Sequence, residues 1–247
     1  VLTKTVLIIQ ARMGSSRLPG KVLMPLGDRC VLDYVVSRCR LVKGVSEVVV
    51  ATSVRESDQA IVDWCASRGV ACFRGPEEDV LARYLQCAVH YEADYVIRVT
   101  SDCPFIDYEL GNVMMAEMAK SPADLTNLTG GITIGLPMEL ISVRALQYID
   151  RHGKEPRHRE HVTYYAYEYP EQFQAVKIPV PKELHAPQLR ITLDTIEDYE
   201  MLKRVASHFA GNPTIPSRDV IRYLLAHEDV AAINAHVRQK PVIEERL

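Results

Sequence analysis

The first 120 residues alternate between two hydrophobic patterns. Short, nearly unbroken apolar runs, such as Val6-Leu7-Ile8-Ile9, are separated by longer segments whose apolar residues recur at three- and four-residue spacing. An apolar run without polar alternation is what a strand covered on both faces requires. The pattern predicts strands over 6–9, 47–51, 70–73 and 95–99. Between them it predicts a helix over 31–42, with Leu32, Val35, Val36 and Cys39 on one face. A second helix is expected over 57–67, started by Ser57-Asp58, and a third over 78–91, with Val80, Leu81, Tyr84, Leu85 and Ala88 facing inward. A fourth is expected over 108–120. Strands joined through helices of this length imply a parallel sheet with right-handed crossovers.

The pattern changes after about Pro122. Gly130-Gly131, Gly135 and Pro137 punctuate short extended pieces that suit mixed or antiparallel strands. A helix over 143–150 follows, then the charged stretch "KEPRHREH" and a helix reaching Tyr169. Residues 174–179 read as an edge strand running into the proline-punctuated "IPVPKELHAP". Residues 190–193 read as a returning strand, and helices over 196–209 and 217–226 close the fold. The end, "RQKPVIEERL", is expected to begin ordered and then fray. No repeat or low-complexity tract interrupts the chain. Its 247 residues suit one α/β domain, with 123–188 as a smaller mixed-strand excursion within it.

Bulk properties exclude more than they assign. A net charge of −3 gives no pull toward nucleic acid or an anionic membrane, and the chain has no extended basic face. No run reaches the roughly 18 apolar residues a membrane span needs. The start, "VLTKTVLIIQ", goes straight into a strand and lacks a small-residue cleavage site. The six cysteines are scattered and never form C-x-x-C, which argues against a zinc site or a disulfide framework and for a reducing, cytoplasmic setting.

The local chemistry is more telling. The loop after the first strand, "QARMGSSRLPGK", carries three cations, Arg12, Arg17 and Lys21, in ten residues. Gly14, Ser15 and Ser16 can turn backbone N–H groups toward an anion. Five residues separate Gly14 from the Gly20-Lys21 pair and Val22 follows, so neither the spacing nor the hydroxyl of a Walker loop is present. The G-x-G-x-x-G dinucleotide fingerprint is absent too. The loop suits one polyanion; the alternative is a solvated basic loop.

Asp102 follows the strand over 95–99 and lies on the same rim as that loop. Magnesium that keeps several waters needs only one or two carboxylates besides phosphate oxygens. Asp102 could instead cap the next turn. Asp194 stands between the strand over 190–193 and a helix, as a second metal ligand or as a helix N-cap. Glu197 and Asp198 fall in the first helical turn, where they favour the helix dipole. His152, His158 and His161 have no orthodox zinc spacing. Arg157, Arg159 and His161 could receive an anionic substrate or simply begin a solvated helix. Tyr164, Tyr165, Tyr167 and Tyr169 suit a core or a subunit interface. Cys103 reads as a packing residue open to inactivation.

Taken together, these stretches resemble cytidylyltransferases of the spore-coat polysaccharide type, in the larger group that includes the acylneuraminate and 3-deoxy-manno-octulosonate cytidylyltransferases. The first motif, "ARMGSSRLPGK", is similar to that group's A-R-x-x-S-x-R-x-P-x-K. The others, in order, are "FRGPEEDVLARY", "VIRVTSDCPFID", "IGLPMELIS", "HREHVTYY" and "LRITLDTIEDYE". The resemblance spans most of the chain, and the ordered set is its specific part.

It implies a doubly wound, mostly parallel α/β sheet related to the glycosyltransferase A type, and a loop that holds CTP. It places Ala11, Arg12, Gly14, Ser15, Arg17, Lys21, Arg74 and Ser101 at the nucleotide, Arg12 and Lys21 on its phosphates. Asp102 and Asp194 would bind Mg2+. Glu139, Arg159 and His161 would face a small anionic acceptor, such as a 2-keto sugar acid, and the chain would form a homodimer. The group commonly has Gly where Ser101 stands, and G-L-D-V-E where this chain reads Gly135-Leu136-Pro137-Met138-Glu139. An acid is therefore missing near the acceptor. The implied reaction is in-line attack of the acceptor on the α-phosphorus with loss of pyrophosphate. A nucleotide-sugar-dependent glycosyltransferase would want an Asp-x-Asp, and Asp102-Cys103-Pro104 lacks it. A non-catalytic nucleotide-sugar-binding subunit would tolerate loss of Asp102.

Overall fold

The computed structural model describes residues 4–239. Most of the stretch expected to fray, from residue 240 on, lies outside the described residues. The chain begins with β1 (Thr5–Gln10) and a small hairpin, β2 (Pro25–Leu26) and β3 (Arg29–Cys30), then α1 (Val31–Cys39). It continues through β4 (Glu47–Ser53), α2 (Gln59–Arg68), β5 (Ala71–Gly75), α3 (Val80–His90), β6 (Tyr95–Thr100) and α4 (Tyr108–Lys120). Next come β7 (Leu125–Thr129), β8 (Glu139–Ser142), α5 (Val143–His152), α6 (Pro156–Glu160), α7 (Tyr164–Glu168) and β9 (Ala175–Pro179). The helices α8 (Ile196–His208), α9 (Ser217–Ala226) and α10 (Glu228–Ala231) finish the described chain.

One seven-stranded sheet runs in the order β5-β4-β1-β6-β8-β7-β9. The first four strands in that order are mutually parallel; β8 is antiparallel to both of its neighbours, and β7 and β9 are parallel. The segment 123–188 therefore adds its strands to the same sheet. Both faces are covered, as the unbroken apolar run of β1 requires. Leu7 and Ile9 belong to the core that α1, α2, α4, α8 and α9 cover, whereas Val6 and Ile8 belong to the one that α3, α5 and α7 cover. Strand order reverses between β1 and β6, so the loops leaving their carboxyl ends flank the crevice where open α/β sheets take ligands.

Two expectations need correction. The helix expected to reach Tyr169 is broken in two: Val162, fully buried, takes a left-handed φ of 46° between α6 and α7. A β-branched residue there is a backbone outlier. The turn it makes points the Thr163 hydroxyl at Glu139, 2.8 Å away. Residues 190–193 are not a strand. Among the described residues no strand runs alongside them; their amides reach single partners, Ile191 to the Ile134 carbonyl at 2.9 Å and Leu193 to the Asp102 carbonyl at 2.8 Å.

The tyrosines divide. Tyr165 is buried against Tyr148 and Phe173, while Tyr167 and Tyr169 are exposed.

Gly135 makes the close approach of 190–193 possible. Its φ is 97°, and a Cβ there would stand 2.2 Å from the Ile191 carbonyl oxygen. Gly135→Ala should therefore cost at least about 2 kcal/mol, combining left-handed strain with a backbone clash. A thermal melt would read this as a clear drop in Tm; an unchanged Tm would mean that the two segments do not touch.

Candidate active site

Three distant stretches of sequence meet at the carboxyl rim of the sheet. The loop leaving β1 turns back on itself: the Ser15 and Gly20 amides both reach the Met13 carbonyl, at 3.0 and 2.9 Å. Gly20 adopts a left-handed φ of 72°, which a glycine tolerates at little cost, and a single turn of 3-10 helix, Lys21–Leu23, starts there. That turn sends the Lys21 side chain inward. Its Nζ donates to Asp102 Oδ2 at 3.1 Å, Asp194 Oδ1 at 2.9 Å and the Leu193 carbonyl at 2.6 Å. The Arg17 Nη2 also meets Asp194 Oδ1, at 3.1 Å.

The electrostatics follow from this convergence. Burial by itself would lower the Lys21 pKa, but Asp102 and Asp194 outweigh burial and hold it above the usual lysine value. Burial would raise the Asp194 carboxyl, yet Lys21, Arg17 and Arg190 keep it below the usual aspartate value. Asp194 is not the helix cap. Thr195 caps α8 in a reciprocal pair with Asp198. Cys103, beside Asp102, is pushed up to about 12 by burial and the Asp102 charge, so it stays a neutral thiol.

The rest of the basic loop faces outward. Arg12 is exposed and forms no ion pair among the described residues. Ser15's amide is taken by Met13, but among the described residues nothing accepts from the amides of Arg12, Gly14, Ser16 or Arg17. Cations and spare N–H groups together make a cradle for an anion. Ala11 is buried at its base, with its amide on the Ala51 carbonyl at 3.1 Å. Ser101 is also buried, its amide on the Gln10 carbonyl at 3.1 Å, and its φ is not positive. The backbone there does not require glycine.

Arg74 lies beside the rim as a brace. Its guanidinium donates to the Ser53 and Arg55 carbonyls at 3.0 and 2.9 Å and to Gln59 Oε1 at 2.9 Å.

The residues expected to face an acceptor separate. Glu139 lines a hollow of about 330 Å³ together with Arg98, Thr100, Cys103, Thr126 and Tyr167. Its carboxylate pairs with Arg98 and accepts from Thr163 and Tyr167, each at 2.8 Å. Burial pushes Glu139 up, but Arg98 and the two hydroxyls hold it below the usual glutamate value. Arg159 is not among the lining residues. Its guanidinium spans Asp79, at 2.6 Å, and Asp150, at 2.7 Å, and so ties α6 to the N-cap of α3 and to α5. His161 caps the end of α6 and packs near Tyr164. A second hollow, of about 380 Å³ between Leu23, Arg29 and Trp64, contains none of the expected site residues.

Sequence reasoning missed three supports. Asp58 accepts the Met13 amide at 2.7 Å and both the amide and hydroxyl of Ser53, so it fastens the basic loop to β4. Asp198, fully buried, holds the Arg190 guanidinium and the Asp194 amide, and thereby fixes Asp194 in place. Arg98 is the buried partner of Glu139. An arginine inside an otherwise apolar strand was the available signal for the last; the other two looked like ordinary helix-start acids.

Magnesium fits the donor set. Among the described residues no three His, Cys, Asp or Glu side chains converge, so a metal here would have two carboxylates and must complete its shell with phosphate oxygens and water. Asp102 and Asp194 already share one cation, the Lys21 ammonium. Among the described residues no helix is long and apolar enough to cross a membrane.

Residues 6–224 match the model of the cytidylyltransferase family. The chain is 36% identical over 229 residues to the spore coat polysaccharide biosynthesis protein SpsF of Bacillus subtilis, covering 91% of this chain and 95% of that one. It is 32% identical over 162 residues to a 3-deoxy-manno-octulosonate cytidylyltransferase of Agrobacterium fabrum, covering 59% of this chain and 63% of that one. A solved cytidylyltransferase of Leptospira borgpetersenii superposes with a TM-score of 0.85 at 32% identity, covering 92% of this chain and 96% of that one.

Removing the shared cation should expose the site's electrostatics. Lys21→Met keeps the aliphatic stem but leaves two carboxylates with less compensation. Asp194's pKa is depressed in the folded chain, so its stabilising contribution is present above the unfolded aspartate value, about 3.9, and is lost as pH falls through the folded value. Lys21→Met raises that folded value and shrinks the contribution. Melting curves between about pH 7 and pH 3 should then show the variant losing stability at a higher pH than the wild type. Superimposable pH profiles would mean that Lys21 does not govern Asp194.

Proposed function

The chain belongs to the cytidylyltransferase family, and from that premise we propose that it transfers CMP from CTP to a small anionic acceptor, such as a 2-keto sugar acid, with release of pyrophosphate. The observation that carries this reading is the meeting of Lys21, Asp102 and Asp194, within 3.1 Å of one another through the lysine, beside a loop of outward cations and spare amides. A triphosphate satisfies that set, because it brings negative charge to the loop and oxygens to complete a metal shell.

In this reading Arg12, Arg17 and the free amides of the loop bind the phosphates. Lys21 turns from the carboxylates to a phosphate oxygen, and Asp102 and Asp194 would be the residues that hold Mg2+. The metal, when bound, offsets charge on the transferring and leaving groups. Arg74 braces the Ser53–Arg55 turn beside the nucleotide. The acceptor oxygen attacks the α-phosphorus in line, and the bond to pyrophosphate breaks. Positioning and charge stabilisation supply the rate, with no covalent enzyme intermediate. A neutral Cys103 accords with that, since the thiolate is the nucleophilic form. Arg159, held by Asp79 and Asp150, acts as a positioning residue for the acceptor-side helices. The polysaccharide role of the Bacillus subtilis relative and the acceptor named for the Agrobacterium fabrum relative suit this substrate class.

The test is pyrophosphate release with each of four nucleoside triphosphates against a panel of 3-deoxy-manno-octulosonate, N-acylneuraminates and sugar phosphonates. CTP with at least one acid should give turnover that EDTA abolishes and magnesium restores. Asp102→Asn should lower kcat/KM by more than about 100-fold with Tm held, because the amide keeps the shape and loses the charge. Turnover that survives both EDTA and Asp102→Asn would refute the proposed site.

A further inference from the structure

Asp194 gives its two oxygens to different neighbours. Oδ1 faces the site, where Lys21 Nζ meets it at 2.9 Å and Arg17 Nη2 at 3.1 Å. Oδ2 accepts from Arg190 Nη2 at 2.5 Å. Arg190 is buried, and the rest of its guanidinium is also engaged. Its Nε donates to Asp198 Oδ1 at 3.0 Å, and its Nη1 donates to Gln239 Oε1. Asn234, only 2% exposed, ties the cluster together: its Nδ2 donates to the Arg190 carbonyl at 3.0 Å and to Asp198 Oδ1 at 2.8 Å. Asn234 and Gln239 belong to the segment after α10, beyond residue 224, where the match to the family model ends.

This arrangement resolves a competition between two carboxylates for one arginine. The Arg190 Nη2 is 2.5 Å from Asp194 Oδ2 but also 3.4 Å from Asp198 Oδ2. An arginine fork favours a two-pronged pair with a single carboxylate. The Arg190 Nε is already on Asp198, so a small rotation would complete that pair and release Asp194 Oδ2. Two contacts oppose the rotation. Gln239 holds Nη1, and Asn234 shares Asp198 Oδ1 while pinning the Arg190 backbone. Asp198 cannot easily follow, because its Oδ2 accepts the Asp194 and Thr195 amides at 2.8 and 3.1 Å. A buried polar network satisfied in this way favours a single geometry.

We propose that the segment after α10 aims Asp194: Asn234, supported by Gln239, keeps Arg190 on Oδ2, so that Oδ1 is the oxygen turned into the site. All three residues act through Asp194 and are positioning residues. Hydrogen-bond partners of a metal-binding carboxylate commonly govern metal affinity, because they fix its orientation. This inference rests on the cytidylyltransferase reading above, with Asp194 as a Mg2+ residue, and adds the part of the chain that orients it.

The experiment replaces Asn234 with leucine, which has similar volume and no donor. Ser142→Ala is the control for a purely structural loss. The Ser142 hydroxyl caps α5 by accepting the Ala145 amide at 3.1 Å, and Val143 and Ala145 lie in the core on the opposite face of the sheet. Two quantities are measured for each protein: the gain in Tm when Mg2+ replaces EDTA in the presence of CTP, and the free Mg2+ that gives half-maximal pyrophosphate release with the best acid of the panel. Both variants should lower the starting Tm. Asn234→Leu should raise the half-maximal Mg2+ about 3- to 10-fold and shrink the Mg2+-dependent gain in Tm. Ser142→Ala should change neither. Gln239→Ala, at an exposed position, tests the same brace if the leucine variant does not fold, and should raise the half-maximal Mg2+ by about 2- to 5-fold. A lower starting Tm in Asn234→Leu with a wild-type Mg2+ response overturns the inference, as does an unchanged response in Gln239→Ala when that variant carries the test. If the wild type shows neither turnover nor a Mg2+-dependent gain in Tm, the proposed function itself fails and this inference falls with it; the wild-type measurement alone separates that failure from the first.

Discussion

The Lys21 ammonium, shared between Asp102 and Asp194, is the contact on which the candidate site depends. Two carboxylates brought to one point repel, and a buried charge without a partner is strongly destabilising. The lysine solves both problems. It also ties three stretches far apart in the chain: the turn after β1, the end of β6 and the irregular segment before α8. In the proposed reaction a triphosphate would take over the lysine and a metal the carboxylates. The ion triad thus holds the site in shape before the substrates arrive.

A second tier of contacts keeps that triad in place. Asp198, fully buried at the start of α8, holds both the Arg190 guanidinium and the Asp194 amide. Asp58 fastens the basic loop to the end of β4. Arg38, buried in α1, donates to the Ile106, Pro213 and Ile215 carbonyls and to the Ser217 hydroxyl, and so closes the C-terminal helices over the sheet. Each is a charged group made tolerable by being fully hydrogen-bonded. Their loss would move Lys21, Asp102 and Asp194 without touching those side chains.

The parallel half of the fold was legible because buried parallel strands leave unbroken apolar runs and their helices leave a clear period; β1, β6, α4 and α9 fall where the pattern puts them. The loop after β1 was legible through its cations and glycines, and Asp102 through its place at a strand end. What failed was set by distant contacts. The segment 190–193 has the apolar character of a strand, yet its bonding partners, Ile134 and Asp102, lie in different segments. Nor does anything local announce that Arg159 pairs with Asp79, eighty residues away. The pairing of β7 with β8 at Leu125↔Ile141 is likewise invisible in sequence, since it joins segments with no local signal for it.

The most direct test of the account is a crystal structure of the protein with CTP and Mg2+. The account predicts the triphosphate along residues 12–21, the Lys21 Nζ on a phosphate oxygen, and the metal between Asp102 and Asp194. A triphosphate bound elsewhere, with Lys21 still spanning the two carboxylates, would contradict it.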